Sequence, residues 1–397
     1  MATATTVQAL ANDLSANLST LTSQNKDDVA LRKDTISKAK RLVKELYDPI
    51  DYTMDQMQKM MELVCVRAVI EMKALQAIPS EGTASLDDIA TSTGAQKALL
   101  ERLLRMLVGS RLLVQTADGR YAHTRISESF TGFPGEVFGM GHDEIFAPMA
   151  KLPQYFEAEG GFFEPTSSKH NPYSWSHGMN GKNVWDIMGQ WPKRVERFQR
   201  CMVGITEKDP LTGFYDFGKL DIEGDRTIFV DVGGSQGQTI RAVLEAHPNI
   251  DPSRVVLQDQ PDVIAIAKSS DYLPASVNKM AHDFFTPQPV KNARAYYMRR
   301  VTHDWSDADV EIMFKHIANA MAPDSKLLVS DVVLPSRIEN DAHAFFAWND
   351  IGMMVMGGKE RTKELFEELL GKAGLKLDHI YHVEAGNRPA IVEASLK

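Results

Sequence analysis

Apolar residues recur at helical spacing in the first part of the chain. The pattern predicts helices over 35–46 and 52–75, separated by Pro49, and leaves 1–30 as either a loose arm or a weak helix that docks on a partner. One stripe of the second helix is apolar and rich in methionine: Met57, Met60, Met61, Val64 and Ala68. Because methionine commonly fills gaps in cores, we expect this stripe to be core packing.

A helix–turn–helix followed by a hairpin comes next. Ser85 and Asp88 have the spacing of a capping box at a helix start, and Gly94 ends that helix. A second helix and two strands follow, over 96–108, 112–115 and 120–123. This is the pattern of a winged-helix module, which often binds DNA. Between Ser85 and Arg125 there are only six basic residues against four acidic ones, so we favour a structural or dimerisation role.

The segment 126–205 is rich in aromatic residues and methionine, with prolines as breakers or helix starts. It is too apolar for a linker. We expect it to form core between two domains and one wall of a pocket for a flat apolar ligand.

From residue 227 onwards strand and helix patterns alternate, as in a parallel α/β sheet. Strands are predicted over 227–232, 254–258, 295–299, 326–332, 377–383 and 389–395. Helices are predicted over 238–247, 263–269, a segment through Val310 to Met321, and 360–373.

Composition excludes several classes of protein. The 397 residues are 43% hydrophobic and 24% charged, which is typical of a globular protein. A net charge of -9 disfavours general binding to nucleic acid or anionic membrane, and no apolar run is long enough for a membrane span. Cys65 and Cys201 are too few for a disulfide framework or a thiolate zinc site. With no signal-peptide pattern at the start, they suit the cytoplasm, and no residue cluster has the spacing of metal ligands.

A glycine turn carries the first chemical signal. A buried strand ends at Asp231 and runs into GGSQG, with Gly233, Gly234 and Gly237 before a helix. Glycines there let the backbone approach a ligand at the carboxyl edge of the sheet. The turn lacks the GxGxxG spacing of pyrophosphate sites. With the acid before it, the turn suits S-adenosylmethionine (SAM).

The next strand ends extend this site. Asp259 ends the following strand, where a carboxylate can accept both hydroxyls of a ribose. Asp283 and Phe284 follow the strand after that, where an adenine can be hydrogen-bonded and stacked.

A histidine lies past a further strand end. His303, in VTHDWSD, is at the edge where open α/β sheets bind ligands, and imidazole suits proton abstraction near neutral pH. Asp331, at the end of the next strand, and Glu360, in GGKERT, are acids that can hold the imidazole in one tautomer.

Together these motifs resemble the SAM-dependent O-methyltransferases of the plant caffeate/flavonoid type, and more closely their fungal relatives that act on polyketides and other aromatic metabolites. The matching pieces, in the family's order, are DVGGSQG, LQDQPDVI, HDFF, YMRRVTHDWSD, VVLP and GGKERT. The resemblance implies His303 as general base, flanked by Asp331 and Glu360. It also implies a homodimer built through the N-terminal region, with partner residues completing the pocket for a small aromatic or polyketide substrate.

The resemblance also assigns binding residues. Those for the cofactor are Asp231, Gly233, Gly234, Asp259, Asp283, Phe284 and Arg299. Those for the substrate are Trp185, Met202, Asp350 and Met353, to which we add His142 as a pocket histidine. Three positions depart from the family: Ser235 replaces a glycine and could crowd the methionine end of the cofactor, Asp331 replaces the plant glutamate, and Arg299 replaces the plant lysine.

The expected fold class is α/β, with a Rossmann-like SAM methyltransferase domain preceded by a mostly helical winged-helix dimerisation domain. The expected segments are 1–125 for the helical arm and dimerisation domain, 126–205 for the connector and pocket wall, and 206–397 for the methyltransferase domain. The implied reaction is methyl transfer to a hydroxyl of a phenolic or polyketide-type secondary metabolite. The alternative is a methyltransferase-like SAM-binding enzyme that catalyses dehydration or pericyclic rearrangement. The retained base favours methyl transfer, and His142 could serve either chemistry.

Overall fold

A computed structural model describes residues 4–23, 27–206, 214–221, 224–339, 341–382 and 390–397. The chain forms two compact units, Met1–Gly139 and Met140–Lys397. The segment boundaries after residues 125 and 205 stay a prediction.

The first unit is mostly helical. Its helices are α1 (Ala4–Ser23), α2 (Val29–Leu46), α3 (Pro49–Glu71), α4 (Leu86–Thr93), α5 (Lys97–Gly109), α6 (Arg125–Ser129) and α7 (Phe133–Met140), and its strands are β1 (Leu113–Gln115) and β2 (Tyr121–His123). The predicted helix–turn–helix and hairpin are present as α4, α5, β1 and β2. Ser85 and Asp88 form both hydrogen bonds of the capping box, and Gly94 ends α4 at φ +70°.

The methionine stripe of α3 is not core, and that expectation is wrong for the single chain. Met57, Met60 and Met61 are 55%, 54% and 57% exposed. The helix instead buries its other face, through Val66 and Val69, in the core of this unit. Helical spacing identifies an apolar face but does not say what covers it.

The second unit begins with short helices. A π-helix, Gly141–Phe146, leads into α8 (Ala147–Met149), α9 (Leu152–Ala158), α10 (Pro172–Ser176), α11 (Val184–Met188) and α12 (Pro192–Thr206). Four of them have a proline in the first or second position, as predicted for helix starts: Pro148, Pro153, Pro172 and Pro192.

The rest of the second unit alternates strands and helices. The strands are β3 (Phe229–Val232), β4 (Val255–Asp259), β5 (Asn278–Ala281), β6 (Ala295–Arg299), β7 (Lys326–Asp331), β8 (Val333–Leu334), β9 (Arg361–Thr362), β10 (Leu375–Tyr381) and β11 (Ala390–Leu396). The helices are α13 (Gln238–Ala246), α14 (Pro261–Ser269), α15 (Asp307–Ala318), α16 (Asp341–Met354) and α17 (Lys363–Lys372). The predicted helix over 360–373 therefore begins late, because Thr362 caps α17 and Glu360 lies in the loop before β9. The predicted strand ends at 383 and 389 fall outside the described residues.

Seven strands form one mixed sheet in the order β10-β11-β7-β6-β3-β4-β5. Strands β5, β4, β3, β6 and β7 pair in parallel, whereas β11 is antiparallel to both β7 and β10. Because β4 and β6 leave β3 on opposite sides, a crevice opens outside the carboxyl end of β3. The ends of β3, β4, β6 and β7 meet at this edge and carry Asp231, Asp259, Arg299 and Asp331.

Within the described ranges, no helix combines the length and the apolar character that crossing a bilayer requires.

Candidate active site

The glycine turn after β3 is shaped for close approach. Gly233 has φ +73°, in the left-handed region that favours glycine. A Cβ atom on Gly234 would lie 2.5 Å from Cγ of Asp231 and 2.6 Å from Cδ1 of Leu257. Any side chain at Gly234 would therefore displace the Asp231 carboxyl.

Ser235 fits the turn despite replacing a glycine. Its backbone has φ +54° and its side chain is exposed. Its N–H donates to Oδ2 of Asp259 over 2.8 Å, and the N–H of Gln260 donates to Oδ1 over 2.7 Å. Two backbone bonds thus orient the Asp259 carboxylate, and each oxygen keeps a lone pair for a ribose hydroxyl.

Asp231 supplies a buried carboxylate under the turn. It is 1% exposed, and its Oδ2 atom has no hydrogen-bond partner. Burial raises its pKa to about 7, although the positive charge of Arg299 opposes the shift. Oδ2 of Asp231 is thus a buried carboxylate oxygen without a donor, next to the space that Gly234 leaves open. This arrangement fits the amino group of SAM.

Phe284 reaches the same turn from the next strand end. Its Cε1 atom lies 3.9 Å from where a Cβ atom of Gly233 would stand. The ring packs edge-on against Trp305, with centroids 5.7 Å apart. Asp283 is exposed, and its Oδ1 accepts the N–H of Phe285 over 3.0 Å. The pair therefore places a ring and a carboxylate near the turn, and the adenine-binding role stays a prediction.

His303 lies on a 3-10 turn, Thr302–Asp304, just after β6. Its Nδ1 atom is 2.7 Å from Oε1 of Glu360, and the two side chains are 12% and 0% exposed. A carboxylate only accepts hydrogen bonds, so Nδ1 is the protonated nitrogen and Nε2 carries the lone pair of the neutral ring. The Nε2 atom lies 3.6 Å from Oδ1 of Asp304.

Helix α16 fixes the carboxylate that holds His303. Asn349 donates to the same Oε1 atom of Glu360. The backbone N–H of Glu360 donates to Oδ1 of Asp350 over 2.9 Å. Asp350, predicted to line the substrate pocket, thus anchors the backbone at Glu360. Sequence reasoning missed Asn349, which belongs to none of the motifs.

Asp331 faces the turn without a direct bond to His303. One of its oxygens accepts the hydroxyl of Thr302, and the other has no partner. The carboxylate is fully buried, which raises its pKa. Asp331 therefore acts on the imidazole through its charge, whereas Glu360 makes the hydrogen bond.

The charges around His303 decide its proton affinity. Burial alone lowers the pKa of an imidazole. The carboxylates of Glu360, Asp304 and Asp331 outweigh that effect and raise the pKa of His303 to about 10. The neutral ring is therefore a strong base, and the ring without ligands carries a proton at neutral pH.

The predicted substrate residues lie on the helices of this unit. His142 is in the π-helix, with Nδ1 3.0 Å from Oδ1 of Asp143, and Asp143 also pairs with Arg197. Trp185 is partly exposed and packs edge-on against Phe198. Met202 and Met353 are half-buried on α12 and α16. The pocket roles of all these residues stay predictions.

Among the described residues, no group of three or more histidine, cysteine or acidic side chains is arranged to hold a metal ion.

Solved structures share this architecture. The structure of OxaC in complex with sinefungin and meleagrin has a TM-score of 0.87 and 26% identity, covering 100% of both chains. The structure of LepI in complex with SAM has a TM-score of 0.80 and 23% identity, over 98% of this chain and 99% of that one, which shows a shared fold. The fold and the site together define a SAM-dependent methyltransferase.

Family comparisons agree. The O-methyltransferase domain matches residues 163–376, and the O-methyltransferase dimerisation domain matches residues 54–132. The methyltransferase pvhD of Talaromyces variabilis is 37% identical over 81% of this chain and 90% of its own length. The chain belongs to the O-methyltransferase family, among fungal secondary-metabolite enzymes, and SAM is its cofactor.

Proposed function

We propose that this enzyme transfers a methyl group to a hydroxyl of a phenolic or polyketide-type secondary metabolite, with His303 as the general base. The observation that carries the proposal is the 2.7 Å hydrogen bond between His303 Nδ1 and Glu360 Oε1. It directs the lone pair of the ring to Nε2. The similarity to fungal methyltransferases such as pvhD supports methyl transfer as the reaction.

The residues divide the work between binding and proton transfer. When bound, SAM supplies an electrophilic methyl group on a positively charged sulfur. Asp231, the turn at 233–237 and Asp259 hold the cofactor, and Asp283 and Phe284 hold its adenine. His303 Nε2 takes the proton of the acceptor hydroxyl, and Glu360 stabilises the imidazolium that forms. Positioning of the reactants supplies much of the remaining rate.

The product of the reaction is the test. The protein is incubated with SAM and a panel of phenolic and enolic polyketides, and products are identified by mass. Addition of one CH₂ unit on oxygen, with release of S-adenosylhomocysteine, is expected. An isomer of unchanged mass, or loss of water without consumption of SAM, would replace the proposal with rearrangement or dehydration.

We expect the rate to rise with pH. Deprotonation of His303 creates the base, so kcat/KM should increase from pH 6 towards pH 10 at saturating SAM. In Glu360→Gln the carboxylate charge is lost, which lowers the pKa of His303 and moves the rising limb to lower pH, with a reduced plateau. The pH–rate profiles of both proteins are measured with one acceptor, so that the acceptor's own pKa cancels. If the rising part of the Glu360→Gln profile stayed at the same pH as in the wild type, the role of Glu360 would be contradicted.

We expect SAM binding to release a proton near neutral pH. A cationic ligand beside Asp231 lowers the raised pKa of that carboxyl, so the acid ionises on binding. Calorimetry with S-adenosylhomocysteine at pH 6.5, in buffers of different ionisation enthalpy, measures the release. Asp231→Asn should abolish it and weaken binding about 10- to 100-fold, the worth of a hydrogen bond to a charged group. Equal proton release in the variant would place the titrating group elsewhere.

We further propose that the homodimer forms through the first unit. The dimerisation domain matches residues 54–132, and this range includes the exposed methionine stripe of α3. An apolar surface of this kind is stable in water when a partner covers it.

A further inference from the structure

We infer that Arg361 is a positioning residue, which holds the turn that carries His303 in register with Glu360. The inference rests on the proposed function, because it assigns a role toward His303 as base.

The guanidinium of Arg361 bridges the two ends of the His303 turn. Arg361 is 1% exposed, although arginine is rarely buried. Its Nη1 atom donates to the carbonyl of Thr302 over 2.7 Å, and its Nη2 atom donates to the carbonyl of Trp305 over 2.8 Å. Those two carbonyls lie immediately before and two residues after His303. One rigid planar group thus sets the span of the turn.

Arg361 also connects to the neighbouring helix and to the hydrogen-bonded pair of His303 and Glu360. Its Nε atom donates to Oδ1 of Asp307, in the first turn of α15, over 2.9 Å. Arg361 directly follows Glu360 in sequence, so the group that holds the turn also fixes the backbone beside the carboxylate. The 2.7 Å bond between His303 and Glu360 therefore joins two segments whose separation Arg361 sets.

The backbone of the GGKER segment closes the other side of the turn. The N–H of Lys359 donates to the carbonyl of His303 over 2.9 Å. A Cβ atom on Gly358 would collide with that carbonyl oxygen and would lie 2.7 Å from the carbonyl carbon of Asp304. The glycine is required for contact between the two backbones, independently of the arginine.

Lysine cannot reproduce this arrangement. The guanidinium offers donors in a fixed fork that matches two carbonyls and a carboxylate, whereas an ammonium is a point charge on a flexible stem. A buried cation is costly unless its donors are paired. The number of backbone acceptors arranged around Arg361 therefore points to a geometric role.

Arg361→Lys is the test, with Arg254→Lys as matched control. Arg254 is also bonded to a backbone carbonyl, that of Arg226, and to an acid, Asp221, but it precedes β4 at the opposite edge of the sheet. Arg361→Lys should lower kcat about 100-fold, the typical cost of a misplacement near 1 Å, and leave SAM affinity and KM unchanged. The rising part of its pH–rate profile should move to lower pH, because the Glu360 carboxylate no longer lies close enough to stabilise the protonated imidazole. Arg254→Lys should keep the kcat and pH profile of the wild type.

Nitrogen NMR of ¹⁵N-histidine-labelled protein reads the His303 ring directly, with His303→Ala for assignment. Arg361→Lys should change the His303 titration. A wild-type titration in this variant would overturn the inference, whatever the rate. So would an equal loss of kcat in Arg254→Lys. If Arg361→Lys does not fold, Asp307→Ala, which removes the carboxylate that accepts from Nε of Arg361, is measured by the same criteria. A changed titration combined with full activity of His303→Ala would retain the positioning role and refute the proposed base.

Discussion

Replacing His303 with alanine is expected to lower kcat by about 10²–10⁴, the usual contribution of a positioned general base. The variant loses the imidazole that the Glu360 carboxylate orients, so the acceptor hydroxyl must ionise without help. SAM binding should be nearly unchanged, because the residues proposed to bind the cofactor, Asp231 and Asp259, lie at the turn after β3. Steady-state kinetics and calorimetry with S-adenosylhomocysteine measure the two effects separately.

The matched control for this variant is His379→Ala. His379 is exposed on β10, so its removal should leave both kcat and cofactor affinity at wild-type values. If cofactor affinity collapsed together with activity in His303→Ala, the histidine would be part of the cofactor site and the assigned role would be wrong.

The double substitution Met57→Glu and Met61→Glu is expected to convert the dimer to a monomer. Covering a methionine side chain contributes about 1.5–3 kcal/mol, and a two-fold axis places each substitution in the interface twice. Four carboxylates would replace four apolar groups. Light scattering coupled to gel filtration measures the mass, and circular dichroism confirms that the monomer is folded.

Two exposed isoleucines on the second unit give the control for the dimer. Ile266 and Ile312 are 47% and 44% exposed, on α14 and α15, so Ile266→Glu with Ile312→Glu adds the same charge away from the stripe. That variant should remain a dimer. A wild-type mass for the methionine variant would show that the stripe does not form the interface.

The grouping of the proposed cofactor residues follows from the sequence because parallel pairing is a strong constraint. Once β3, β4 and β6 are recognised by their buried apolar runs, their carboxyl ends must meet at one edge, which brings Asp231, Asp259 and Arg299 together. The glycines are equally informative. Gly234 leaves no room for a Cβ atom beside the Asp231 carboxyl.

The hydrogen-bond partners of His303 depend on contacts that the spacing of residues along the sequence does not specify. His303 bonds to Glu360 and not to Asp331, because the Asp331 carboxylate accepts the hydroxyl of Thr302 instead. Asn349 and Arg361 hold the hydrogen-bonded pair of His303 and Glu360 through tertiary contacts. No periodic pattern in one segment records a contact with another.

The exposed stripe of α3 has a related origin. Hydrophobic spacing predicted the helix correctly, but burial within a chain and burial by a second chain leave the same pattern in the sequence.

The central claim is that His303, held by Glu360, removes a proton from an acceptor hydroxyl beside the bound cofactor. A crystal structure with S-adenosylhomocysteine and a phenolic acceptor from the product assay tests it most directly. We predict the acceptor oxygen within about 3 Å of Nε2, at hydrogen-bond distance, and the adenosyl group over the turn at 233–237. An acceptor oxygen placed against another side chain, with the imidazole turned away from it, would contradict the claim.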